Sequence, residues 1–313
     1  MARAPLCAVV TLLAAVVLQP AGAVAKGEER VLVVLATNGP KPYTVADVQH
    51  TVRQADAFLR ASSFGQVRLH VDVTPWLAAF NSNPGCGGLT NESFEAVLAP
   101  ARVAADRAGY DPARYDDAIY AIADSRCAFH GETWGHEVML TTQPTLQLVA
   151  HELGHTFGLG HAQGSNCAVS PLRCARDGTG DTLSPMGGGT LDYSTYEKVT
   201  LGWIPQQPRV RSAGRYVLAV PTAKTALRQA LVIDTTEGAW WIEYRSRPFR
   251  GLVIRFVEAG IARAPFAPPS VLILNPAKAG RPWVARGESY RIPGSLRVTL
   301  VRAGTSRAEV RLR

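Results

Sequence analysis

Hydrophobic positions change their period partway along the 313 residues. VLVVLA, Val31 to Ala36, is apolar without alternation and is closed by Asn38, Gly39 and Pro40, the pattern of a buried strand. Val45, Val48, Val52, Ala55 and Leu59 then recur at helical spacing behind Thr44, with Asp47 three residues on, which predicts a capped helix over 44–62. VRLHVDV, Val67 to Val73, alternates as a strand does, Asn91 to Ala108 reads as a helix, and YDDAIYAIAD, Tyr115 to Asp124, as another strand. A further helix opens after Pro144 and carries the run HELGH. This order predicts an α/β layer in which that helix packs on a mostly parallel, twisted sheet. Beyond Trp203 the texture changes. YVLAV, ALVIDT, WWIEYR, GLVIRFV, SVLIL, WVARG, LRVTLV and AEVRLR follow one another with Pro and Gly in the gaps, predicting a smaller all-β, sandwich-like unit from about residue 205. The expected organisation is a leader over 1–25, an α/β domain over 26–204 and a β-rich C-terminal domain over 205–313.

The leader changes the expected compartment. Arg3 precedes an apolar run from Leu6 to Leu18, and small residues allow cleavage after Ala23 or Ala25, as in a secretory signal. An uncleaved anchor is the alternative, but the run is shorter than the ~20 apolar residues of a membrane span. The mature chain is therefore expected to be exported, with no membrane span and no nucleic-acid partner. Cleavage removes Cys7 and leaves Cys86, Cys127, Cys167 and Cys174, an even set for an oxidising compartment. Of the pairings open to them, Cys86 with Cys127 and Cys167 with Cys174 are favoured; unpaired core thiols are the alternative.

Net charge is +8, but it is divided unevenly, with nineteen Lys and Arg against six Asp and Glu in residues 205–313. A basic C-terminal part suggests an anionic cell-wall or glycan surface as partner. Without a short basic run, arginines scattered on solvent-facing strand positions explain the count as well.

Residues 151–161, HELGHTFGLGH, hold three of the chain's seven histidines. At this composition HExxHxxGxxH arises by chance in roughly one chain in a hundred thousand, and HExxH alone in about one in 150. His151 and His155, four apart, project from one helix face about one turn from each other and can grip one metal ion. Continuing the helix would turn His161 away from that ion, so the helix must stop first. Gly158 can adopt the left-handed conformation that stops it. Three neutral imidazoles and one open position suit a catalytic zinc ion, and Glu152 beside them can take a proton from a water activated by the ion and pass it to a leaving amine. That is peptide hydrolysis without a covalent intermediate. Histidines without a metal, or a structural zinc, are the alternatives; the spacing disfavours the first, and the lack of a fourth suitably spaced Cys or His disfavours the second. A third ligand from Glu197 would leave His161 and Gly158 unexplained. A calcium site needs several oxygens at defined spacing, and the sequence offers only scattered acids such as Asp177 and Asp181, which leaves calcium binding open.

HELGHTFGLGH resembles the long zinc motif of the metzincin metalloproteases, and GDTLSPMGGGTLDYSTYEKVTLGW, which follows, is most similar to the gametolysin family of secreted metalloendopeptidases. The resemblance covers residues 144–204 and is looser elsewhere. It implies one zinc ion held by His151, His155 and His161, Glu152 as general base and acid, and Met186 in a turn forming the floor of the site. Some metzincins carry a tyrosine two residues after that methionine. Here the position is Gly188, so Tyr193 becomes a candidate transition-state stabiliser, with an ordinary core tyrosine as the alternative. In ETWGHEVML, Trp134, His136, Val138 and Leu140 alternate onto one face, which suggests an edge strand to which an extended peptide substrate adds; an ordinary hairpin is the alternative. His136 reads as a solvated strand residue rather than a fourth ligand. The reading is a secreted zinc metalloendopeptidase acting on protein or peptide. Two others remain open: a cell-wall or surface-binding protein with a vestigial zinc site, which the retained Glu152 disfavours, and a zinc amidase acting on wall peptides.

Overall fold

A computed structural model describes residues 26–82, 91–123, 127, 129–166, 171–260, 266–277 and 280–313. The expected leader, Cys86 and Cys167 lie outside the described residues. The chain is mixed α/β, with three sheets and four α-helices among the described residues. None of those helices is long and apolar enough to cross a membrane.

The elements begin with β1 (Gly27–Thr37), α1 (Val45–Ser62), β2 (Val67–Ala78), α2 (Asn91–Arg107), β3 (Asp117–Ile122), β4 (Gly131–Trp134), β5 (Glu137–Leu140) and α3 (Leu146–Thr156). The first sheet has the order β2-β1-β3-β5-β4; its strands are parallel except for the edge strand β4. Its apolar run is unalternating because both faces are covered. Val31, Val33 and Leu35 face Val52, Ala55 and Leu59 of α1 and Val149 and Leu153 of α3. Leu32, Val34 and Ala36 face Phe94, Leu98 and Ala101 of α2. The expected cap of α1 is present: Thr44 accepts from the Asp47 N–H, and Asp47 accepts from the Thr44 N–H.

After α3 come β6 (Ala162–Ser165), α4 (Thr195–Thr200), β7 (Gly214–Ala219), β8 (Ala230–Asp234), β9 (Gly238–Arg245), β10 (Gly251–Glu258), β11 (Ser270–Ile273), β12 (Ser289–Arg291), β13 (Arg297–Ala303) and β14 (Arg307–Leu312). They form sheets of order β6-β11-β10-β9-β8 and β12-β13-β14-β7, which share one core around Trp240, Ile254, Phe256, Val298 and Val310. The boundary expected near 205 is crossed, because β6 pairs in parallel with β11 and Ala162 lies opposite Ser270. The residue that follows His161 is thereby stitched into the C-terminal sheet.

ETWGHEVML does not form the single alternating strand that its pattern suggests. Gly135, at φ +60°, turns the chain and folds it into the β4–β5 hairpin, with Trp134 opposite Glu137. Trp134 stays on the edge strand, 41% exposed, whereas Val138 is fully buried on the inner strand and His136 sits in the turn against Asp117. Alternation was the wrong period because the glycine breaks the run in two.

Candidate metal centre

The helix that carries the first two histidines has both ends specified by sequence. At its start, Thr145 accepts from the Leu148 N–H. At its end, Gly158 adopts φ +92°, its N–H donates to His155 O at 2.9 Å, and the Leu159 N–H donates to Gly154 O at 2.9 Å. This paired closure is a Schellman motif, and the left-handed residue at its centre favours glycine. The chain then doubles back, as expected, to bring His161 beside the other two.

The ring centre of His161 lies 5.2 Å from that of His151 and 4.8 Å from that of His155. One ligand atom from each of the three histidines falls within 4.8 Å of the others. His151 Nδ1 lies 2.8 Å from Pro185 O, and His155 Nδ1 lies 2.7 Å from Leu159 O. A carbonyl can only accept, so both Nδ1 atoms carry the proton. Burial pushes the pKa of His151 down to about 4, against the bond to Pro185, and that of His155 down to about 3, with His151 and His161 adding to the shift. Burial lowers His161 as well.

Both helix histidines are therefore neutral at pH 7, and their Nε2 lone pairs face each other at 3.1 Å. No proton is left to join them. Two nitrogens each ~2.0–2.1 Å from one ion in a tetrahedron stand roughly 3.3 Å apart, so the three histidines lie close enough together to hold a metal ion. Anchoring of the second ring nitrogen by a carbonyl is the usual way such a ligand is oriented.

Glu152 is buried on the same turn of α3, and Thr133 of the edge strand donates to its Oε2 at 2.6 Å. Burial raises the Glu152 pKa to about 7, the Thr133 hydrogen bond opposing and Glu132 reinforcing the shift. His151, Glu152, His155 and His161 together line one cleft.

Met186 is fully buried beneath α3, and its sulfur approaches Gly154 so closely that any side chain at that position would collide with it. The turn that holds it is densely bonded. Asp181 Oδ1 accepts from the N–H groups of Leu183 (2.8 Å) and Ser184 (3.0 Å), and Ser184 Oγ accepts from the Met186 N–H at 3.1 Å. Gln147 Nε2 donates to Pro185 O and Gly187 O.

Beneath this turn lies a layer of buried charge from the C-terminal strands. Arg255 donates to Asp181 Oδ2 and to Glu243 Oε1, each at 2.9 Å, and Arg245 donates to Glu243 Oε1 at 2.7 Å. Glu243 Oε2 accepts from the Thr195 N–H at 2.7 Å. Burial alone would raise the Glu243 pKa, but the two guanidinium charges overcome it and hold the carboxyl down at about 2.

Several expected residues fall away from the cleft. The Tyr193 hydroxyl donates to Ala150 O at 2.7 Å, and the ring is fully buried against Phe58 and Trp203. Tyr193 is therefore a core tyrosine and not a stabiliser of reacting groups. Glu197 is buried with its carboxylate on Ser184 Oγ, and Gly188 lies in the Met186 turn. Cys127 and Cys174 are each disulfide-bonded. Two of the basic residues counted on the C-terminal half, Arg245 and Arg255, are buried rather than on solvent faces.

Sequence reading did not single out Thr133, Gly154, Asp181, Glu243 or Arg255 as parts of the site. Gly154 alone had a local signal, a residue without a side chain on the helix face that carries two ligands. Comparison with known protein families and with curated proteins finds no match for the chain.

Proposed function

We propose that this protein is a secreted, zinc-dependent metalloendopeptidase of the metzincin kind, closest in motif to the gametolysin family. The observation that carries the reading is the pair of unprotonated Nε2 atoms at 3.1 Å, with the Glu152 carboxyl in the same cleft. Zinc is chosen over other divalent ions because imidazole donors and an open fourth position suit it. Bound there, the ion would act as a Lewis acid that lowers the pKa of a water and polarises the substrate carbonyl.

The chain's own residues would do the rest. Thr133 occupies Glu152 Oε2 and fixes the carboxyl plane, leaving Oε1 to hold the attacking water and accept its proton. Burial, which raises the Glu152 carboxyl pKa in the metal-free chain, suits a group that accepts that proton and then gives it up to the leaving amine. Pro185 O and Leu159 O keep the two imidazoles in the tautomer that presents Nε2. Among the described residues β4 pairs on one side only, at the edge of its sheet, which suits the addition of an extended peptide as a further strand. Disulfide bonding at Cys127 and Cys174 supports an oxidising, extracellular compartment.

The reading is tested by treating the purified mature chain with a zinc chelator and following hydrolysis of unfolded casein. Cleavage should stop as the ion is stripped and return on addition of about one equivalent of zinc. Cleavage that continues in the metal-free protein would refute it.

A further inference from the structure

The cleft has two walls, and they come from distant parts of the chain. One consists of Phe129 and the β4 residues Gly131, Glu132 and Thr133, the other of Phe266, Ala267 and Pro269, between the C-terminal strands β10 and β11. Together with the histidines and Glu152 they enclose a cavity of about 440 Å³.

The second wall is fixed to the metal centre rather than lying loosely over it. The Ala267 N–H donates to Gly158 O at 2.8 Å, on the residue that ends the histidine helix, and Tyr196 of α4 donates through its hydroxyl to Pro268 O at 2.7 Å. The Phe266 ring lies 5.2 Å from the His155 ring, tilted by 57°. An apolar surface is thereby presented directly beside the ligands. Gln163 of β6 also lines this cavity, and its side-chain oxygen is buried with no hydrogen-bond partner among the described residues. A buried acceptor without a donor is costly, and it becomes favourable when a ligand supplies an N–H.

We propose that the C-terminal half sets the specificity of the cleft. Phe266, with Phe129 opposite, seats one large apolar side chain of a peptide next to the bond to be cut, while Gln163 Oε1 accepts an N–H of the same peptide. The substrate class is then a polypeptide with a bulky aliphatic or aromatic residue adjoining the scissile bond. Phe266 and Gln163 touch substrate without taking part in the proton transfers. This rests on the peptidase reading for the identity of the bond, but the pocket itself can be measured without turnover.

The test is binding of peptide hydroxamates to the zinc-loaded, full-length protein, using a matched series whose side chain is isobutyl, methyl or carboxymethyl. The isobutyl compound should bind at least about tenfold more tightly than the methyl compound, the span that a small change in an apolar pocket produces. Phe266→Ala should bring the two within about twofold while zinc content and thermal midpoint stay at the wild-type values. Should that variant lose either, Phe129→Ala provides the same comparison from the opposite wall. Gln163→Leu should weaken all three compounds together. A wild type that binds the methyl or carboxymethyl compound as tightly as the isobutyl one overturns the proposal, as does a preference that survives both Phe266→Ala and Phe129→Ala. Selective binding by a protein that hydrolyses no peptide would sustain the pocket and refute the peptidase reading; peptide hydrolysis with flat binding would do the reverse.

Discussion

In the α/β half, the titratable residues around the cleft are kept available. His151 and His155 spend only Nδ1 on carbonyls, and Glu152 spends one oxygen on Thr133, so that Nε2 and Oε1 remain open. In the β-rich half, the titratable residues nearest the cleft are spent on one another, Arg255 on Asp181 and Glu243, and Arg245 on Glu243. Both sets are buried, yet the open atoms of one converge on a single cleft, whereas the charges of the other are paired with one another, with only Arg255 Nη2 lacking a hydrogen-bond partner among the described residues. The lesson is that burial alone does not mark a reactive group. What marks it here is convergence, with the Nε2 atoms of His151 and His155 facing each other in the cleft that Glu152 also lines.

The comparison can be broken from either side, and the largest effect belongs to the open set. His155→Ala removes one of the two facing Nε2 atoms and should weaken zinc binding by more than about a hundredfold, read as metal per chain after dialysis against a competing chelator. Retention of one zinc per chain would mean that the ion, if bound, sits elsewhere.

Arg255→Met should act on the closed set. Leaving Asp181 and Glu243 buried without their cation costs about 3–5 kcal/mol, to be measured by denaturant unfolding of the metal-free protein. Because Asp181 braces the turn that offers Pro185 O to His151, zinc affinity should also fall by about 10–100-fold. Loss of stability with unchanged zinc affinity would show that the network serves the fold alone.

Glu243→Gln sharpens the same point through pH. The folded carboxyl is held down at about 2 and its ordinary value is 4.5, so its charge favours the folded state above about pH 4.5 and that contribution is lost as pH falls through about 2. The stability deficit of the variant should therefore be largest near neutrality and shrink across that window. A deficit that does not change with pH would contradict the assignment of a charged Glu243.

The smallest effect is expected at the surface of the same half. The Arg215 side chain is 62% exposed in its pair with Glu309, and Arg215→Ala should change stability by no more than about 1 kcal/mol.

What the sequence made legible was local. The Thr44 and Asp47 cap, the i, i+4 histidines, the Gly158 stop and the Met186 turn each depend on residues a few positions apart, where spacing maps directly onto geometry. The unalternating Val31 to Ala36 run was legible because two-sided burial leaves no polar position. The Arg255 network was not legible, since Arg255 lies 74 residues from Asp181 and no period connects them. Neither was the pairing of β6 with β11, which makes the metal loop and the C-terminal sheet one structure. ETWGHEVML misled because a two-residue turn reverses the parity of alternation across a hairpin: Trp134 lies opposite Glu137, so Val138 and Leu140 take the other face of the sheet.

The central claim is that Glu152 moves protons beside a metal held by the three histidines. Its most direct test is hydrolysis of unfolded casein by the mature protein and by Glu152→Ala, with zinc measured on both. The account predicts one zinc per chain in each, and a rate lower by about 10²–10⁴-fold in the variant. A variant that holds zinc and still cuts at the wild-type rate would contradict it.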